Sequence, residues 1–163
     1  MPTLDDFKTL FETIRKQTGL EMLVPDADGL VSIRVDDEYN INLQFIEEAA
    51  KILCFVEVAS LPENAGVAVY RDLLTGSLFG KDTGGGYFTM EGEFNTVIYN
   101  YMFDFATAAD DPENFVETLE NILQLVNIWA DRINGNLDDE ASDKQDDDVK
   151  APYTQPSTFV FRP

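Results

Sequence analysis

The spacing of the apolar residues in this chain changes period in an order that leaves few folds open. Leu4, Phe7, Leu10, Phe11 and Ile14 recur at intervals of three and four, which places them on one face of a helix from about Thr3 to Thr18, closed by Gly19. Pro25-Asp26-Ala27-Asp28-Gly29 is turn chemistry, and strict alternation then takes over. Val31, Ile33 and Val35 alternate with Ser32 and Arg34, and Ile41, Leu43 and Phe45 alternate with Asn40, Asn42 and Gln44. Asp36-Asp37-Glu38 joins the two runs, so they read as a hairpin. Ile52 to Val58 is apolar on both faces, as expected of a strand in the middle of a sheet.

Past Leu61-Pro62 the period returns to helical. Val69, Tyr70, Leu73 and Leu74, interspersed with Ala65, Gly66, Ala68 and Gly76, predict a second helix within Glu63 to Leu78. Its glycines weaken it but allow close approach to a neighbour. Gly80 to Gly86 reads as a flexible loop. Tyr87 to Glu91 and Val97 to Phe105 read as an antiparallel pair, the second with Val97, Tyr99, Tyr101, Phe103 and Phe105 on one face. Asp110-Asp111-Pro112-Glu113 opens a last helix with an acidic cap and proline in the first turn. The line Phe115, Leu119, Ile122, Val126, Trp129, Ile133 predicts that this helix is largely buried. The expected fold class is therefore α+β: a single domain ordered helix-strand-strand-strand-helix-strand-strand-helix, a twisted antiparallel sheet flanked by three helices, and an acidic C-terminal tail.

Charge narrows the partners. The 163 residues include 31 acids against 11 basic residues, a net of −20. Such a surface repels nucleic-acid phosphates and anionic membranes and favours a basic partner. Residues 136–163 carry seven acids against Lys144, Lys150 and Arg162, a net of −4, so −16 remains on residues 1–135. We expect a folded domain over 1–135 and a flexible tail over 136–163, because Asn136 to Lys150 holds almost no apolar residue to offset chain entropy. The tail ends in Thr158-Phe159-Val160-Phe161, short enough to be inert yet patterned like a strand. The start has neither the basic region nor the apolar run of a signal peptide, no run of about 20 apolar residues occurs, and the lone Cys54 forms no internal disulfide. A soluble cytoplasmic protein is the expectation.

Catalytic chemistry finds little to work with. There is no histidine, which removes imidazole-based triads and imidazole zinc sites. Cys54 lies in an apolar strand with no basic neighbour and reads as a core residue. Gly84-Gly85-Gly86 lacks the lysine and hydroxyl of a phosphate loop. Asp26-Ala27-Asp28-Gly29 opens like a calcium loop, but Leu30 and Val31 stand where an oxygen ligand and a glycine are needed. The carboxylate clusters Asp36/Asp37/Glu38, Glu47/Glu48 and Asp110/Asp111 read as solvated turns, and Asp104 as a water-facing residue of the aromatic strand. We expect no catalytic residue, no cofactor and no metal site.

An apolar surplus remains: 19 aromatic residues in a chain that is 44% hydrophobic. A core and a dimer interface could absorb it, or it could form a groove for an extended or helical peptide.

The helix Leu4 to Ile14, the hairpin Val31 to Leu43, the strand Ile52 to Val58 before Leu61-Pro62, the helix with Leu73-Leu74-Thr75 and the late helix Glu117 to Trp129 together resemble class I type III secretion chaperones of the Tir chaperone-like kind, over about residues 3–134. The resemblance implies a bacterial cytoplasmic homodimer, not an enzyme, that wraps the N-terminal non-globular segment of secreted effectors and keeps it export-competent without hydrolysing nucleotide. It implies an effector groove from Phe7, Leu10, Phe11 and Ile14 of the first helix with Val31, Ile33, Ile41, Leu43 and Phe55 of the strands. Val69, Tyr70, Leu73, Leu74, Tyr99 and Tyr101 become the candidate dimer contact. The tail falls outside the resemblance and is open to three readings: inert, autoinhibitory over an apolar groove, or a contact to export machinery. A non-secretory binding domain on the same fold and a carboxylate- or metal-dependent enzyme are the alternatives.

Overall fold

Thr3 starts the molecule by closing a capping box. Its side chain accepts the Asp6 amide, and its own backbone and hydroxyl donate to the Asp6 carboxylate at 2.8 Å. These backbone and hydroxyl donors hold the Asp6 carboxyl below its ordinary pKa. The helix α1 (Leu4–Thr18) then runs until Gly19 adopts the left-handed conformation at φ 72. In the computed structural model, which describes residues 1–35 and 38–143, it is followed by β1 (Leu30–Val35), β2 (Tyr39–Ile46), β3 (Lys51–Ser60), α2 (Val67–Gly76), β4 (Tyr87–Glu91), β5 (Thr96–Asp104), a short α3 (Phe105–Asp110) and α4 (Pro112–Asp143). The Asp36-Asp37 connection and residues 144–163 lie outside the described residues.

The five strands form one antiparallel sheet in the order β1-β2-β3-β5-β4. Register decides its faces. Val31 opposes Leu43, Leu43 opposes Cys54, and Cys54 opposes Tyr101, so these share one side. The helices pack there. Phe7 stacks on Phe45 with ring centroids 5.1 Å apart, Phe115 meets both Phe11 and Phe103, and Trp129 meets Phe88 at 4.8 Å. The other side, with Leu53, Phe55, Ile98 and Met102 among polar neighbours, is only partly buried.

The predicted order holds, with three differences. α3 was not anticipated: Asp104 ends the aromatic strand and caps this helix by accepting the Thr107 amide, so Phe105 turns inward as a helical residue and not as a strand residue. The glycine loop is a built connection. The Tyr99 hydroxyl donates to the Thr83 carbonyl at 2.7 Å, the Trp129 indole donates to the Asp82 carbonyl at 3.0 Å, and a Cβ on Gly86 would lie 2.3 Å from the Tyr99 oxygen. The last helix does not stop near 135. It continues to Asp143, with Leu137 against the core and the Asn136 amide donating to Asp72. Part of the segment expected to be flexible is therefore helical.

Gly76 explains the close packing anticipated for α2, because its missing Cβ leaves the space that the Trp129 ring fills. An ion pair from Arg132 to Asp72 fastens the same two helices, and the Arg132 guanidinium lies 4.4 Å from the Trp129 ring centre.

Candidate functional site: two apolar margins of the sheet

Exposed apolar side chains gather in the segments that lead into the two edge strands, β1 and β4. The first margin lies at β1. Gly29, at φ 76, sits against the start of α1: a Cβ there would be 2.8 Å from Leu4. The chain leaving the far end of α1 at Gly19 must therefore travel back along the whole helix before entering β1. On that return Leu23 is buried, whereas Leu20, Met22 and Val24 are exposed. Ile33 and Val35 of β1, the outermost strand on this side, are half-buried at the border of the core. Asp26 fixes the turn ahead of β1, its carboxylate accepting the amides of Asp28 and Leu30 at 2.9 and 2.8 Å. The carboxylate that suggested a calcium loop is thus engaged with its own backbone.

The second margin lies at β4. The Phe88 amide donates to the hydroxyl of Ser77, which ends α2, so α2 finishes beside the start of β4, while the Leu61 amide ahead of the helix bonds to Asn95 in the β4–β5 turn. The outer face of α2 exposes Val67 and Leu74, and the turn after it exposes Leu78 and Phe79. Phe79 is 96% exposed and has φ 56, an unfavourable backbone conformation for a bulky residue that leaves its ring in water. At the β4–β5 turn Phe94 is exposed, and Glu91 holds that turn by accepting the amides of Glu93 and Phe94. Those bonds keep the Glu91 carboxyl below its ordinary pKa.

The expected site residues fall mostly inside the protomer. Phe7, Leu10, Phe11, Ile14, Val31, Ile41 and Leu43 are core residues of the protomer, none more than 5% exposed. The helical and alternating faces that seemed to form a groove face each other. Of that set only Ile33, at the β1 border, and Phe55, on the uncovered side of the sheet, retain surface. Val69, Leu73 and Tyr99 are likewise buried, Tyr70 and Tyr101 partly so, and Leu74 alone is exposed at 73%. Exposed apolar residues that the sequence pattern did not single out are Leu20, Met22, Val24, Val67, Leu78, Phe79 and Phe94. A usable signal was their position out of phase with the core spacing, above all at Val67 and Leu74, seven residues apart on α2.

Electrostatics surrounds both margins. Glu38, Glu57 and Asp131 line a cleft with Tyr39 and Asn134 where the end of β2 meets α4. Burial first, and then the charges of Glu38 and Asp131, push the Tyr39 phenol up. Asp104 is exposed, pairs with Lys51 at 3.0 Å and is held below the ordinary carboxylate range chiefly by that hydrogen bond. Cys54 is buried and its thiol is pushed up to about 12 by desolvation. Among the described residues no group of three His, Cys, Asp or Glu side chains is arranged to hold a metal ion, and no helix is long and apolar enough to cross a membrane.

The fold as a whole is shared with chains of several solved complexes. A chain of the ExsC–ExsE complex superposes with a TM-score of 0.67 at 20% identity, covering 80% of this chain and 95% of that one. A chain of the HopA1–SchA chaperone–effector complex gives 0.58 at 15%, covering 76% and 89%. One from the complex of the Yersinia pestis type III secretion chaperone SycH with a stable fragment of YscM2 gives 0.54 at 16%, covering 73% and 98%. In sequence, a Chlamydia pneumoniae protein is 28% identical over 105 residues, 64% of this chain and 77% of that protein. Residues 9–130 match the Tir chaperone protein (CesT) family, and the chain belongs to it.

Proposed function

We infer that this protein is a homodimeric type III secretion chaperone of the bacterial cytoplasm, which holds the non-globular N-terminal segment of a secreted effector along the β1 margin and self-associates through the α2–β4 margin. The observation that carries the reading is the β1 margin itself. β1 is an outermost strand, the position to which an extended peptide adds, and Leu20, Met22 and Val24 of the segment leading into it, with Ile33 of the strand itself, offer apolar anchors. The α2 margin differs in kind. Val67 and Leu74 on one helical face, with Leu78 and Phe79 beyond, form a patch suited to pairing with its own copy. Family membership supports the same reading, and so does the acidity, which keeps a chaperone with a half-exposed apolar client in solution. The function is binding without nucleotide hydrolysis.

Co-expression with effector genes from the same bacterium, followed by purification and mass determination, tests it. A complex of two chaperone copies with one effector segment is expected, and the Met22→Asp/Ile33→Asp double variant should lose the effector while keeping its far-UV spectrum. Undiminished capture by that variant would remove the β1 margin from the function; failure of the parent protein to retain any effector would remove the chaperone reading.

A further inference from the structure

Phe79 combines two unfavourable features that a surface turn does not require. Its backbone is left-handed, at φ 56 and ψ 18, where glycine or asparagine is at home and a bulky residue is strained, and its ring is 96% exposed. A small polar residue at this position would make the same turn with less strain and no apolar surface in water. The position is also firmly held. The Gly80 amide bonds to the Ser77 carbonyl at 3.1 Å and the Gly85 amide to the Gly80 carbonyl at 2.9 Å. Gly80 and Gly85 touch so closely that a Cβ on Gly80 would lie 2.6 Å from the Gly85 Cα. Behind them the loop is pinned to the core, with the Tyr99 hydroxyl and the Trp129 indole on the Thr83 and Asp82 carbonyls and the Thr83 residue wholly buried. The glycine loop is thus a stiff mount for the ring at its head, and a mounted ring loses little conformational freedom when a partner covers it.

Charge selects the partner. Residues 64–90, from the approach to α2 as far as Met90 of β4, hold Asp72 and Asp82 against Arg71 and Lys81, a net of zero. On a chain of net −20 that neutrality is local: residues 19–38, before and along β1, hold six acids against Arg34. Two copies of so acidic a protein repel each other except where one neutral surface meets another, whereas a basic partner is drawn to the acidic side. The neutral stretch also carries the apolar series Val67 and Leu74 on α2 followed by Leu78 and Phe79.

Resting on the assignment of the α2–β4 margin to self-association, we propose that Phe79 is the anchor of that contact, a ring preset by the glycine loop that seats against the α2 face of a second copy. A two-fold pairing puts the same margin opposite, so each copy places its Phe79 beside the exposed Val67 and Leu74 of the other. Burial of the ring on assembly offsets the strain and exposure that it carries in the protomer. The helix face completes the contact, and the loop sets its strength.

Phe79→Asn in the full-length chain tests this, because asparagine tolerates the left-handed backbone and removes the ring. Sedimentation equilibrium should show the dimer dissociation constant raised roughly a thousandfold, as expected of an interface anchor that occurs twice. The urea midpoint of the monomeric fraction should stay level or rise, since the strain is relieved. Weaker association with undiminished stability is a pair of signs that a residue supporting only its own fold does not give. Gly80→Ala keeps the ring but drives a Cβ against Gly85, and it too should weaken the dimer; a parent-like dimer there overturns the role of the loop as a mount. An unchanged dimer constant in Phe79→Asn overturns the proposal. So does a loss of protomer stability, or an intact dimer that no longer captures effector, which would assign the ring to the effector. If Leu74→Gln weakens the dimer and Phe79→Asn does not, self-association through α2 stands and the anchor alone falls; if neither does, the margin itself is misassigned.

Discussion

Replacing Leu74 by Gln separates self-association from folding. Leu74 lies on the outer face of α2 and is 73% exposed, so the folded protomer gains little from it. Glutamine keeps helix propensity and leaves the charge unchanged, and protomer stability should move by no more than about 0.5 kcal/mol. In a two-fold dimer the position occurs twice. Burying a leucine side chain fully is worth about 2 kcal/mol, and at 73% exposure most of that is gained only when a partner covers it. Two copies then amount to about 3 kcal/mol, roughly a hundredfold in the dimer dissociation constant. Sedimentation equilibrium over a concentration series reads the constant, and chemical denaturation of the monomeric fraction reads the fold. Leu43→Gln supplies the opposite outcome, because Leu43 is wholly buried and an unpaired amide there should cost about 3 kcal/mol or more of stability. A Leu74→Gln protein with the parent's dimer constant would refute the reasoning and take α2 out of the interface.

Three further outcomes are expected. Tyr99→Phe removes one of two donors to the Thr83 carbonyl, which keeps the Gly86 amide, and should lower stability by about 1 kcal/mol in urea unfolding; an unchanged midpoint would mean that the hydroxyl does not hold the loop. The Asp104 carboxyl titrates lower folded than unfolded, because Lys51 and the Thr107 amide favour its charged form. Its contribution is therefore present above the unfolded value near 4 and lost as pH falls through the folded value, so the stability gap between the parent and Lys51→Met should narrow below about pH 4. A gap independent of pH from 3 to 7 would contradict the ion pair. Cys54 should resist a thiol reagent at pH 8 in the native protein and react at once in denaturant; rapid native labelling would show that β3 opens locally.

The fold was legible because period and burial agree in it. Phe7, Leu10, Phe11 and Ile14 mark the inward face of α1, and strand alternation at Val31 to Val35 and Ile41 to Phe45 survives intact in the register. α3 was not legible, since its first residue, Phe105, continues the aromatic alternation of β5 and only the Asp104 cap redirects the chain. The exposed apolar margins were not legible for a related reason. Regular apolar periodicity reports what a protomer buries against itself, so the residues that stand out most in the sequence are those least available to a partner. The exposed set sits instead in segments without period, at Leu20 to Val24 and Leu78 to Phe79, and needed the path of the chain along α1 and β4 to be seen as surfaces.

The packing of Trp129 into the gap left by Gly76 has an experimental use. It is the only tryptophan in the chain, and it touches α2, β4 and the glycine loop at once, with a guanidinium over its ring. A slide of α2 against α4 would change the polarity and charge at that indole, so an α2-mediated pairing of two copies would register there. The unlabelled protein thus carries its own optical gauge of assembly, readable as a shift in emission on dilution.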